Sequence, residues 1–161
     1  MNGMSYLDFA DKLRASQEFF ERTLACMQEE DGTFQPQESA FSTIAQVAHA
    51  AQTVDWFMGG IEEGKTFNTD SEGLEKELVY TKTLQAAKAW FQRSMAMAIL
   101  AAEEKPDSFW NSKLPEGPMF AGNPRSFALG GILDHNAHHR GALSVYARLC
   151  GHKPAMPYGE M

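Results

Sequence analysis

The sequence predicts an all-α fold, a four-helix bundle with a long loop before the last helix. Three observations predict it. Four long stretches repeat apolar residues at three- and four-residue steps, the period of an amphipathic helix. No stretch alternates apolar and polar residues as a half-buried strand would. Between the third and fourth stretches, residues 106–122 are rich in proline and glycine and read as one long loop. At 161 residues the chain fits one domain, 1–161, and can bury a sizeable core.

The first helix is expected over residues 5–27, where Phe9, Leu13, Phe20, Leu24 and Met27 recur on one face. Asp31-Gly32 and Pro36 end that pattern. The second helix is expected over residues 42–58, stopped by Gly59-Gly60. It is apolar on two sides: Ile44, Val47, Ala51, Val54 and Met58 form one, and Ala45, His49, Thr53 and Trp56 lie opposite. A helix of that kind belongs in the interior. The third is expected over residues 71–104 as one continuous helix, with Glu72 and Glu75 near its positive end and Leu84, Ala87, Phe91, Met95, Ala98 and Ala102 as its seam. The fourth is expected to start at Asn123-Pro124, a capping residue before proline at the first helical position. It runs to Cys150, with Gly151 as a left-handed cap, and Gly130-Gly131 inside it mark a kink or a close helix approach. Residues 152–161 read as an extended tail.

Composition narrows the function. The net charge of −7, with lysine and arginine scattered, argues against nucleic acid as a partner. The N-terminal residues carry no signal-peptide core, and the longest apolar run is too short to span a bilayer, so a membrane partner is not expected. Cys26 and Cys150 form no CxxC pair, which suits a reducing cytoplasm. There is no P-loop, no GxGxxG and no GxSxG.

The chemistry concentrates in Asp134-His135-Asn136-Ala137-His138-His139-Arg140-Gly141. His135 and His139 are one helical turn apart and share a face. At ~100° per residue, Ala128, Ile132, Ala142, Leu143, Tyr146, Leu149 and Cys150 all fall within roughly 80° of His135. Both imidazoles therefore point toward a core, where an unpartnered polar group is costly. Three protein ligands plus an open position is the common catalytic arrangement for a metal. His49, mid-helix among Ser42, Ala45, Gln46 and Thr53, is the best third ligand. His138 sits at the edge of the apolar face as a reserve ligand or surface residue, and His152 reads as a solvated tail residue. Asn136 stands where HExxH would place its glutamate, so the metalloprotease pattern is absent, as is the Glu-x-x-His motif of di-iron bundles. The residues alone are equally compatible with core histidines satisfied by hydrogen bonds. Trp56, Trp90 and Tyr146 read as core, Cys150 as a buried inert thiol, and Arg140 and Arg148 as surface charges, with Arg140 close enough to the histidines to meet an anionic substrate.

The segment from Ile132 to Leu143, continued by Val145-Tyr146-Ala147-Arg148-Leu149-Cys150-Gly151, resembles the DinB/YfiT-like family. So do Ser42-Thr43-Ile44-Ala45-Gln46-Val47-Ala48-His49 with Asp55-Trp56-Phe57, and the ending Pro157-Tyr158-Gly159. The resemblance implies a four-helix bundle with a divalent metal, Zn²⁺ or Ni²⁺, held by His49, His135 and His139, and a homodimer. It also implies a metal-dependent enzyme that activates a low-molecular-weight thiol or water for transfer or hydrolysis on a small molecule. The alternative is a non-catalytic metal- or ligand-binding stress protein, its site closed by Cys150 or His138. One departure stands out: members of the family often carry glutamine after the His-Arg-Gly stretch, and this chain has Ala142.

Overall fold

Helical periodicity shapes the chain nearly from end to end. The computed structural model describes residues 6–159. In order these form α1 (Tyr6–Leu24), a short 3-10 helix (Glu29–Thr33), α2 (Thr43–Gly60), α3 (Ser71–Tyr80), α4 (Leu84–Glu104), α5 (Asp107–Asn111) and α6 (Phe127–Leu149). Among the described residues there is no strand, only an isolated bridge between Lys113 and Pro124. None of these helices is long and apolar enough to cross a membrane. The four long helices form the bundle. Helix α1 packs on α4 and α6, and α2 packs on the same two. The two histidine-bearing helices, α2 and α6, are therefore direct neighbours.

The apolar stripes meet in one core. Leu13 and Phe20 of α1, Val47 and Val54 of α2, Phe91 and Met95 of α4, and Leu129, Ile132 and Leu143 of α6 are all sequestered from water. The rings of Phe20 and Phe91 stack with centroids 4.2 Å apart. Helix α2 is buried on both sides, as its composition predicts. Gly131 of α6 marks a close approach: a Cβ there would lie 2.3 Å from Cζ of Phe57 on α2. Gly151, at φ +86°, ends α6 in the left-handed region that a side chain resists.

Several boundaries differ from those the sequence predicts. The expected start of α1 at Ser5 lies outside the described residues, and α1 ends at Leu24, before Met27. Helix α2 continues through Gly59 and Gly60, and the amide of its capping residue Ile61 bonds to Phe57 O at 3.2 Å. The expected third helix is two, broken at residues 81–83. Thr81 and Thr83 are both extended, and the Thr83 hydroxyl accepts from the Ala86 amide at 3.0 Å. That cap competes with helix continuation. Glu29 strengthens it from across the fold, its carboxylate accepting from the amides of Leu84 (2.6 Å) and Gln85 (3.0 Å). The carboxylate thus sits on the positive end of α4. Helix α3 buries no residue.

The long loop contains α5, which buries Phe109 and Trp110. Asn123 does not cap α6: its side chain donates to Phe120 O within the loop, and regular helix starts at Phe127. Leu149, expected on the buried face, is 60% exposed. His152 is not a free tail residue either: its Nε2 lies 2.8 Å from an Asp31 carboxylate oxygen and ties the tail to the 3-10 helix.

Candidate metal centre

Three imidazoles converge where α2 faces α6. His49 comes from the middle of α2, and His135 and His139 come from successive turns of α6. Each offers a ring nitrogen, and these nitrogens all lie within 4.8 Å of one another. The His49 ring is 5.1 Å from both partners, and the His135 and His139 rings are 4.4 Å apart. His139 is buried, while His49 and His135 are partly exposed.

Hydrogen bonds orient the rings. On the buried side, His139 Nδ1–H donates to Gln46 Oε1 of α2. The Gln46 amide in turn donates to the Tyr146 hydroxyl at 3.2 Å, and that hydroxyl donates to Phe41 O at 2.9 Å. This chain commits the His139 proton to Nδ1 and leaves its Nε2 lone pair facing the cluster. Nearer the surface, His49 Nδ1 meets Gln52 Oε1 at 3.4 Å, and the Gln52 amide donates to Leu74 O and to the Glu77 carboxylate of α3, both at 2.8 Å. His135 Nε2 lies 3.1 Å from His139 Nε2 and 3.3 Å from the Thr53 hydroxyl. His135 Nδ1 is buried and has no partner.

Burial, reinforced by the neighbouring imidazoles, pushes His139 down to about 3 and His135 down to about 4. Burial lowers His49 as well, against the Gln52 contact that raises it. All three rings are thus neutral near pH 7, the form that binds a metal ion.

These residues fit a divalent ion. With its proton committed to Gln46, His139 Nε2 presents a lone pair to His135 Nε2 at 3.1 Å. Two ligand nitrogens on one zinc ion sit about 3.3 Å apart, given Zn–N bonds of about 2.0–2.1 Å in tetrahedral geometry. A donor set of neutral imidazoles suits Zn²⁺, Cu²⁺ or Ni²⁺.

The other sequence candidates fall elsewhere. His138 is exposed, its ring edge-on to His139 at 4.9 Å, and it is not among the converging ligand atoms. Cys150 lies beside Asp31, where burial and that carboxylate push its thiol up. Asn136 points away into the bundle, 1% exposed, its amide donating to Ser16 Oγ and reaching Met95 Sδ, each at 3.3 Å. Ala142 leaves no carboxamide at its position on α6, and Gln46 supplies one from α2. Gln46, Gln52, Glu77 and the Tyr146 hydroxyl were not singled out by sequence reasoning. Two glutamines buried on an apolar helix, each three residues from His49, are the signal that could have found them.

The DinB family model matches residues 2–161. No curated protein matches the chain in sequence. Among solved structures, the mycothiol-dependent maleylpyruvate isomerase superposes with a TM-score of 0.76 at 15% identity, over 87% of this chain and 61% of that one. A histidine-to-alanine mutant of that isomerase superposes at 0.73, with 14% identity and the same coverage. The chain thus spans about three fifths of the isomerase. A DinB-like protein (YjoA) from Bacillus subtilis superposes at 0.60 with 20% identity, over 97% of this chain and 99% of that one. At these identities the likeness is one of fold.

Proposed function

The chain belongs to the DinB family, and from this membership together with the three-histidine geometry we propose a metal-dependent enzyme that acts on a small molecule with a low-molecular-weight thiol or water as co-reactant. His49, His135 and His139 hold one divalent ion, Zn²⁺ or Ni²⁺, through neutral imidazoles. The ion supplies Lewis acidity and lowers the pKa of a water or thiol. The chain's own residues set the ligands: Gln46, anchored by Tyr146, fixes the tautomer of His139, and Gln52, anchored by Glu77, steadies His49.

The observation that carries this reading is a cluster of three histidines without a fourth ligand among the described residues. A closed structural site needs Cys150 or His138 in the cluster, and each is placed elsewhere, which favours an open coordination position over a structural or sensing role. A thiol co-reactant draws support from the fold shared with a mycothiol-dependent enzyme. We place the protein in a reducing cytoplasm, where Cys26 and Cys150 stay free thiols. Val145 and Leu149, exposed one turn apart on α6, would suit a homodimer face.

The test is metal content by plasma mass spectrometry on untagged protein purified without chelator. We expect close to one ion per chain in the wild type and little in His49→Ala and His135→Ala. Thiol-dependent turnover of electrophilic small molecules should disappear with the ion. A wild type that takes up neither Zn²⁺ nor Ni²⁺ on incubation would overturn the assignment.

A further inference from the structure

On the side of α6 that faces α1, away from the histidines, the structure gathers positive charge. Arg22 of α1, Arg140 and Arg148 of α6, and Lys153 of the tail line one cleft of about 800 Å³, with Thr23 and Ser144 between them. Residues 154–157 form its outer wall. In a chain of net charge −7 this local excess is unusual. Among the described residues, Arg22 pairs with Glu18 (3.1 Å), and no acid lies within ion-pair distance of Arg140, Arg148 or Lys153. Among the described residues the cleft thus gathers three cations with no acid beside them and a fourth, Arg22, paired with Glu18, and cations gathered along a concave surface attract anions.

The positions are also held. Arg140, Ser144 and Arg148 occur at four-residue steps, on one face of α6. Arg148 Nη1 donates to Ser144 O at 2.8 Å and also to Ser144 Oγ, which leaves the Ser144 hydroxyl proton available to a ligand. Arg22 donates to Met156 O, and Arg140 donates to the Tyr158 hydroxyl with its guanidinium 5.5 Å over the Tyr158 ring. The Tyr158 ring in turn meets Phe19 edge-on at 5.0 Å. These contacts fold the tail back over α1 and α6, so that three separate elements each contribute a cation. Arg140 leaves α6 about 100° around the axis from His139, so this cleft and the histidine cluster open on different sides of the helix.

We propose that this cleft is a binding site for a small molecule bearing two or more anionic oxygen groups, phosphate or carboxylate, held by the guanidinium groups of Arg140 and Arg148 with Lys153 and the Ser144 hydroxyl. Guanidinium forks match such groups in two-bonded geometry. A cleft of this volume accommodates a metabolite-sized ligand. The proposal stands independently of the metal.

The test is isothermal titration of the full chain with inorganic pyrophosphate, and separately with tricarballylate, at low ionic strength. The variants are Arg140→Gln/Arg148→Gln, Lys153→Ala and His135→Ala. We expect saturable binding of at least one probe to the wild type and equally to His135→Ala. The arginine pair should weaken it tenfold or more and Lys153→Ala several-fold, with helical content unchanged by circular dichroism. The tighter of the two probes assigns the ligand to phosphates or to carboxylates. Saturable binding of neither probe, binding indifferent to the arginine and lysine changes, or binding lost in His135→Ala would overturn the proposal, the last by placing the anion at the histidines. Lys153→Ala lies outside the helical packing, so it remains a test even if the arginine pair variant fails to fold.

Discussion

Gln46 on α2 accepts the Nδ1 proton of His139 on α6, and so joins the two histidine-bearing helices through one carboxamide. The bond fixes which nitrogen of His139 faces the cluster. Removing such an outer partner typically lowers metal affinity roughly 10–100-fold. Gln46→Leu should therefore weaken Zn²⁺ binding by about that factor in competition with a chromogenic chelator, with the fold intact. Tyr146→Phe removes only the hydroxyl that anchors Gln46 and should weaken binding less. Equal zinc affinity in Gln46→Leu and wild type would mean that the bond orients nothing of consequence.

The depressed histidines give the metal-free protein a defined pH response. The usual imidazole value is 6.5, and burial with neighbouring rings holds His135 at about 4 and His139 at about 3. Well above 6.5 both rings are neutral in folded and unfolded chains, and the pair adds no pH dependence. As the pH falls from 6.5 toward 4, the unfolded chain takes up protons that the folded one refuses, so stability drops. Below about 3 the folded rings protonate too and this contribution levels off. Urea midpoints of chelator-treated protein should decline between pH 6.5 and 4, and a His135→Leu/His139→Leu variant should lose much of that slope. An unchanged slope in the double variant would assign the decline to other groups.

Gly130 and Gly131 are adjacent on α6 and should respond oppositely to alanine. A Cβ at Gly131 would lie 2.3 Å from the Phe57 ring, whereas at Gly130 it meets nothing within 4 Å. Gly131→Ala should cost about 1–3 kcal/mol by overpacking. Gly130→Ala should stabilise by roughly 0.5–1 kcal/mol through reduced backbone freedom in the unfolded chain. Urea unfolding at neutral pH measures both. Gly131→Ala should cost less in a Phe57→Leu background than in the wild type, because the two changes share one contact.

How far the sequence could be read follows from the range of each interaction. The bundle was legible because helical periodicity is local: Leu13 and Phe20, or Phe91 and Met95, announce a buried face without knowledge of its partner. The convergence of His135 with His139 was legible for the same reason, and His49 because it sits mid-helix among small and polar neighbours on a helix that is apolar on two sides. Gly131 showed as a close approach, though only the structure names Phe57 as what approaches. What was missed depends on contacts between distant segments. The break before α4 needs Glu29 to cap Leu84 and Gln85, and no periodicity near Thr83 reports a carboxylate so far back in the chain. The role of Gln46 is equally remote, since its partner lies on another helix. Ala142 on α6 carries no carboxamide, and the one that meets His139 comes from Gln46 on α2. His152 looked free because its partner, Asp31, belongs to a turn read as loop.

Asn136 supplies the last prediction. It is 1% exposed, its Oδ1 is buried without a partner, and its amide reaches only Ser16 Oγ and Met95 Sδ at 3.3 Å. An unsatisfied buried carbonyl carries a desolvation penalty of about 1–3 kcal/mol. Leucine has nearly the same shape and no polar atom, and partly exposed Ser16 can turn its hydroxyl to water. Asn136→Leu should therefore leave stability unchanged or raise it by about 1 kcal/mol, read from the urea midpoint. It should leave zinc affinity as it is, because Asn136 projects away from the histidines that flank it. Destabilisation beyond about 1 kcal/mol would mean that Oδ1 has a partner such as an ordered water, and that Asn136 is a satisfied member of the core.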